Sequence, residues 1–150
     1  MADIRAMSGT SLAEFLHEAA RRPFRWGELD CCLFFSDWVA EITGVDPALE
    51  VRGTYATARE ARRMVKANGG IVALVDRCVA QAGCTATGAP KAGDIGLVQT
   101  AYRRRAERLV LVPTGAICVR PRMWAVKPSD RLGLLMADFP LVKAWSLPRA

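Results

Sequence analysis

The sequence predicts a single α+β domain, N-terminal helices packed on a small C-terminal antiparallel sheet, and three observations carry that prediction. Capping boxes with one-face apolar spacing recur through the first half. From Pro90 onward the pattern changes to short apolar runs separated by glycine, proline or charge. At 150 residues the chain has the length of one domain, residues 1–150, enough to bury about two-thirds of the surface its unfolded form exposes.

Ser11-Leu-Ala-Glu14 is a capping box, and Leu12, Phe15, Leu16, Ala19 and Ala20 share one helical face, so a first helix runs from about Ser11 to Arg22 and stops before Pro23. Asp30 is placed to cap a second helix whose Cys31, Phe34, Phe35, Trp38, Val39 and Ile42 form a wide apolar face ending at Gly44. That breadth marks it as the central buried helix. Thr57-Ala-Arg-Glu60 repeats the capping box for an amphipathic third helix ending near Asn68-Gly-Gly70. Ile71, Leu74, Val75, Cys78, Val79 and Ala82 give a fourth stripe that stops at Gly83. Strand-like runs then cover Asp94 to Gln99, Leu109 to Val112, Ala116 to Val119, Met123 to Lys127, Leu132 to Met136 and Val142 to Leu147. Helices followed by a meander give α+β, the sheet wrapped on the central helix.

Composition narrows the function classes. The start has no basic stretch leading into an apolar run, and no apolar run approaches the roughly 20 residues of a membrane span, so a cytosolic site of folding is expected. Five cysteines in that reducing setting read as thiols, and Cys31-Cys32 and Cys78-x5-Cys84 lack the spacing of a structural zinc site. No metal and no cofactor is expected. The net charge of +6 owes much to Arg59, Arg62, Arg63, Lys66 and to Arg103, Arg104, Arg105 and Arg108. A basic surface attracts nucleic acid, anionic lipid or an acidic protein, and no nucleic-acid motif accompanies this one. The first group reads as the solvated face of a helix. The second falls in a loop and is the candidate partner-binding cluster.

The stretch Phe24-Arg-Trp26-Gly27-Glu-Leu-Asp30-Cys31-Cys-Leu-Phe34 carries the chemistry. A thiol in the first turn of a helix meets the positive end of the macrodipole and unpaired N–H groups, which favour its thiolate. Buried free cysteines also serve as small core hydrophobes, and Cys31 and Cys32 are open to that reading too.

This stretch resembles the nucleophile motif of the NlpC-type, papain-like cysteine peptidases, in which an aromatic-Gly turn leads to Asp-Cys-x-x-Phe at the start of a core helix. Lys91-Ala-Gly93-Asp94-Ile95-Gly-Leu-Val98 resembles the family's Gly-Asp strand. The resemblance implies a papain-like fold with Cys31 at the nucleophile position. It also implies a histidine on the second strand of the sheet, where this chain reads Thr114-Gly115-Ala116-Ile117-Cys118-Val119, with Thr114 or a neighbour in its place. Threonine accepts no proton near neutral pH, and a cysteine without its histidine loses its activation. The only histidine, His17, precedes the motif on the polar side of the first helix. Lys127, where the family's third polar residue would follow, reads as a solvated charge at a strand end. Trp26, Trp38, Trp124 and Trp145 read as core and cleft-wall residues.

The layout from residue 12 to 147 is similar to that of phage- and prophage-encoded proteins of this type, found among tail genes. The implied function is a structural component of a bacteriophage tail tip or hub with a degenerate, inactive peptidase fold. The alternative is an active cysteine peptidase or amidase that cleaves peptidoglycan stem peptides as the phage infects. The implied partners are other tail proteins, hub or tip subunits, with peptidoglycan as a further contact, and neither nucleic acid nor a membrane span. The implied location is the virion, assembled in the bacterial host cytoplasm.

Overall fold

The computed structural model describes residues 11–103 and 109–148. Within them four helices precede a six-stranded sheet, an α+β arrangement: α1 Leu12–Arg21, α2 Cys31–Thr43, α3 Ala58–Ala67 and α4 Ile71–Ala80, then β1 Thr85–Thr87, β2 Ile95–Arg103, β3 Leu109–Arg120, β4 Met123–Val126, β5 Leu135–Ala137 and β6 Leu141–Ser146. The strand order is β1-β6-β2-β3-β4-β5, and every neighbouring pair is antiparallel.

The caps sit where the sequence puts them. Ser11, Asp30 and Thr57 each accept a hydrogen bond from the N–H three residues on, and Gly44 closes α2 in the left-handed conformation. α3 has no buried residue, as its arginine-rich surface predicts.

Strand boundaries depart from expectation. The two runs read as Leu109 to Val112 and Ala116 to Val119 are one twelve-residue strand, β3, running straight through Pro113 and Gly115. Cys118 exchanges backbone hydrogen bonds with Gly93 and Asp94 on the β2 side. Strand alternation therefore turns the nitrogen of Pro113 away from β2, where no ladder bond is lost. β4 pairs only with Ile117, Cys118 and Arg120, so Pro113 lies in a stretch with no second neighbour among the described residues. The run at Leu132 to Met136 shortens to β5, and α4 ends at Ala80 rather than Gly83. β1, three residues against β6, is too short and polar to announce itself.

Two apolar layers result. On one face Ile95, Leu97, Ile117, Ala125 and Trp145 meet Leu12, Leu16, Phe34, Phe35, Trp38, Val39, Val75 and Val79 from the helices. On the other, Trp124 gathers Val98, Ala116, Cys118, Val126 and Ala144. Its ring lies so close over Gly96 that a Cβ there would stand 2.9 Å from it. α2 is thus held against the middle of the sheet, with its N-terminus over β3.

Candidate functional site

Cys31 begins α2, and Asp30 fixes the turn that delivers it. The Asp30 carboxylate accepts from Leu33 N–H at 3.0 Å, which caps the helix, and from Gly27 N–H at 3.2 Å and the Tyr55 hydroxyl at 2.5 Å. One buried carboxylate therefore ties the helix start to the Trp26-Gly27 turn and to the loop after α2. Gly27 has φ +80°, and a Cβ on it would fall 2.0 Å from the Tyr55 carbonyl oxygen, so no other residue fits there. Gly53 N–H closes the clamp onto the Gly27 carbonyl at 3.0 Å. Burial, then the charge and hydrogen bond of Asp30, push the Tyr55 phenol far up, so it remains a neutral donor.

The Cys31 thiol is half-buried, its sulfur 4.0 Å from that of Cys32. A hydrogen bond from the Cys32 thiol, joined by the N–H groups of Gly115 and Cys32, holds Cys31 below the ordinary thiol range, although burial and the Asp30 charge oppose the shift. Cys32 moves the other way: donating to Cys31 and burial keep it protonated. Of the two, Cys31 is the thiol whose ionised form is favoured, and Cys32 is the donor beside it. Cys84 and Cys118, by contrast, are pushed up to about 11 by burial.

The residue facing this thiol from the sheet is Gly115. A Cβ there would lie 2.5 Å from the Cys31 carbonyl oxygen and 2.9 Å from Cys32 Cα. Thr114 or a neighbour is expected in place of the histidine; Gly115 is the neighbour set against the thiol, whereas Thr114 points to the opposite face, where its hydroxyl pairs with that of Thr100 at 2.6 Å. Thr114 has no part in the site. Asp30 is no substitute base, since its oxygens are engaged by three donors. His17 is exposed on α1.

The second landmark, Gly93-Asp94, fastens the core. The Gly93 carbonyl accepts from Trp38 Nε1 at 2.9 Å, and its N–H donates to Cys118 at 2.9 Å. Asp94, 3% exposed, accepts from Lys91 N–H at 3.0 Å and Ser146 Oγ at 3.1 Å, and burial pushes its carboxyl up.

A family model described as a domain of unknown function, DUF6950, matches residues 5–147. The chain belongs to that family. No curated protein and no solved structure matches it.

Other charged groups of this DUF6950 domain have structural work. Lys127, read as a solvated charge, is 1% exposed. Its ammonium donates to the carbonyls of Ala19 at 3.0 Å and Gly133 at 3.3 Å, capping the end of α1, and burial draws its pKa down. Sequence spacing carries no sign of this, because both partners are backbone carbonyls and Ala19 lies 108 residues away. Arg52 forks onto Asp46 at 2.9 and 3.1 Å and reaches Asp37 at 2.9 Å. Burial pushes Asp37 up against the pull of Arg52 and Arg22. These groups line an open groove with Phe15 and Glu41 and bind the loop after α2 to the helices. Of the partner-binding arginines, Arg104, Arg105 and Arg108 lie outside the described residues, as does the side chain of Arg103. Among the described residues no three His, Cys, Asp or Glu side chains cluster as metal ligands, and no helix is long and apolar enough to cross a membrane.

Proposed function

We propose that the chain is a papain-like, NlpC-type domain that serves as a structural component of a bacteriophage tail tip or hub and does not hydrolyse peptide bonds. The observation that carries the second half is Gly115. The strand residue set against the thiol has no side chain, and the packing leaves no space for one. A thiolate can add to an amide carbonyl unaided, but the adduct then expels its better leaving group, the thiolate, unless an acid protonates the amine. Nothing described beside Cys31 supplies that proton at neutral pH except Cys32, whose raised pKa makes it a poor acid. The papain-like assignment is supported by a cysteine-first core helix lying on an antiparallel sheet and by the fastening role of Gly93-Asp94. The tail assignment rests on the resemblance to phage-encoded proteins of this type. Tail subunits are then the partners, Arg103, Arg104, Arg105 and Arg108 the contact with an acidic neighbour, and the virion, assembled in the host cytoplasm, the location.

Incubation with purified sacculi and separation of released muropeptides tests the inactivity; wild type and Cys31→Ala are expected to give the same products. The virion assignment is tested by mass spectrometry of gradient-purified particles, which should contain the chain. Particles free of it would remove the structural role.

A second reading, a cysteine amidase acting on peptidoglycan stem peptides, is favoured by the lowered pKa of Cys31. Muropeptide release that disappears in Cys31→Ala would establish it in place of the first.

A further inference from the structure

The β2–β3 ribbon outruns everything that packs on it. β6 pairs with β2 only at Ile95 to Val98, and β4 pairs with β3 only from Ile117 onward. Past Gln99, whose N–H still donates to the Pro140 carbonyl at 2.8 Å, and before Thr114, the two strands have only each other as backbone hydrogen-bond neighbours among the described residues. A two-stranded ribbon is marginal in water without a covered face. On the face that carries Gly115 and Ile117, strand alternation places Leu109, Leu111 and Pro113 of β3, with Ala101 opposite Leu111 and the half-buried Gln99 opposite Pro113. Leu109 and Leu111 are 62% and 66% exposed, and Pro113 and Ala101 are exposed as well. The result is an uncovered apolar stripe roughly 14 Å long, beginning one residue pair beyond the Cys31 helix start.

We propose that this stripe docks an acidic, amphipathic helix of a partner protein. Charge selects the sign: the chain carries +6, and its sequence between the two strands reads Arg104-Arg105-Ala106-Glu107-Arg108. A second copy would bring like charge to like charge. Shape selects the element. Pro113 withholds an N–H from the free edge of β3, and Gly115 spends its own on the thiol pair, so strand addition along that edge is blunted. The face itself is two strands wide, roughly 10 Å, the width of one helix, and its length matches about three helical turns. The inference deepens the tail-partner reading by naming the surface and the chemistry it takes, yet a purified chain can bind such a helix whether or not it is found in virions.

The test uses the full chain and three fluorescent synthetic peptides. One is a 14-residue helix with leucine at positions 3, 6, 7, 10 and 14 and glutamate or alanine elsewhere. The others are its lysine counterpart and an extended peptide of alternating glutamate and valine. Anisotropy titration should show saturable binding of the acidic helix alone, weakening at least tenfold from 50 to 300 mM salt and at least tenfold in the double variant Leu109→Ser, Leu111→Ser. These leucines are exposed, so the variant's melting temperature should stay unchanged, separating lost docking from lost folding. Equal binding by the variant, or tighter binding of the lysine helix, overturns the proposal. Preference for the extended peptide would assign strand addition instead, and concentration-dependent dimers in sedimentation would assign a second copy; either overturns it.

Discussion

Gly115 decides more about this site than either cysteine. The first turn of α2 and β3 meet backbone to backbone there, and the Cβ of an alanine would be 2.5 Å from a carbonyl oxygen. Gly115→Ala is therefore expected to cost about 1–3 kcal/mol in urea denaturation, as overpacking a rigid contact does. The thiol pair makes a second prediction. Iodoacetamide should alkylate Cys31 before Cys78, Cys84 and Cys118, whose thiols are all pushed up by burial. Cys32→Ala should shift the Cys31 pH profile upward, because the donor that holds the thiolate is gone. Linkage fixes the sign for stability. A group whose folded pKa lies below its unfolded value of 9.0 stabilises the fold above that pH, and the contribution fades as pH falls through the folded pKa. The stability of wild type relative to Cys31→Ala should accordingly rise as pH is raised toward 9; a flat difference by thermal melts would mean that the thiolate is not favoured.

At the scale of elements, α2 is the part the sequence made most legible. Asp30 as cap, Gly44 as stop and the apolar face between them all follow from spacing, and Trp38 is 1% exposed with its indole N–H on Gly93. Trp38→Ala is expected to cost about 3–5 kcal/mol, since a cavity that size cannot close; a loss below about 1 kcal/mol in denaturant would mean that the face is misassigned. What stayed illegible depends on contacts distant in sequence. Pro113 and Gly115 read as breaks because local propensity knows nothing of an edge with no partner, or of a helix end pressed on a strand. Lys127 read as solvated because its acceptors are the carbonyls of Ala19 and Gly133. In the site, Cys31 and Asp30 could be found from a motif. Tyr55 could not, having no spacing that ties it to residue 31, and Gly115 lies inside the segment matched to the histidine strand without any local sign that it, rather than Thr114, faces the thiol.

In the whole molecule, long-range polar ties join the helical half to the sheet. Asp76 on α4 accepts from Lys143 Nζ at 2.8 Å and from Trp145 Nε1 at 2.9 Å, both on β6. Lys127 joins the end of α1 to the chain before β5. Lys127→Met strands two carbonyls that the ammonium now satisfies and should lower stability by about 1–3 kcal/mol, measured as a lower melting temperature; no change would mean that water replaces the ammonium freely. The strand β3 belongs to both ends of this organisation. Ala116, Ile117 and Cys118 are 0% exposed, whereas the strand's first residues stand in solvent. Its amide protons should therefore exchange with deuterium on two clocks. Those of Ala116 to Cys118 await opening of the whole domain, while those of Leu109 to Val112 are released by local fraying of the ribbon, so protection climbs along a single strand within a few residues.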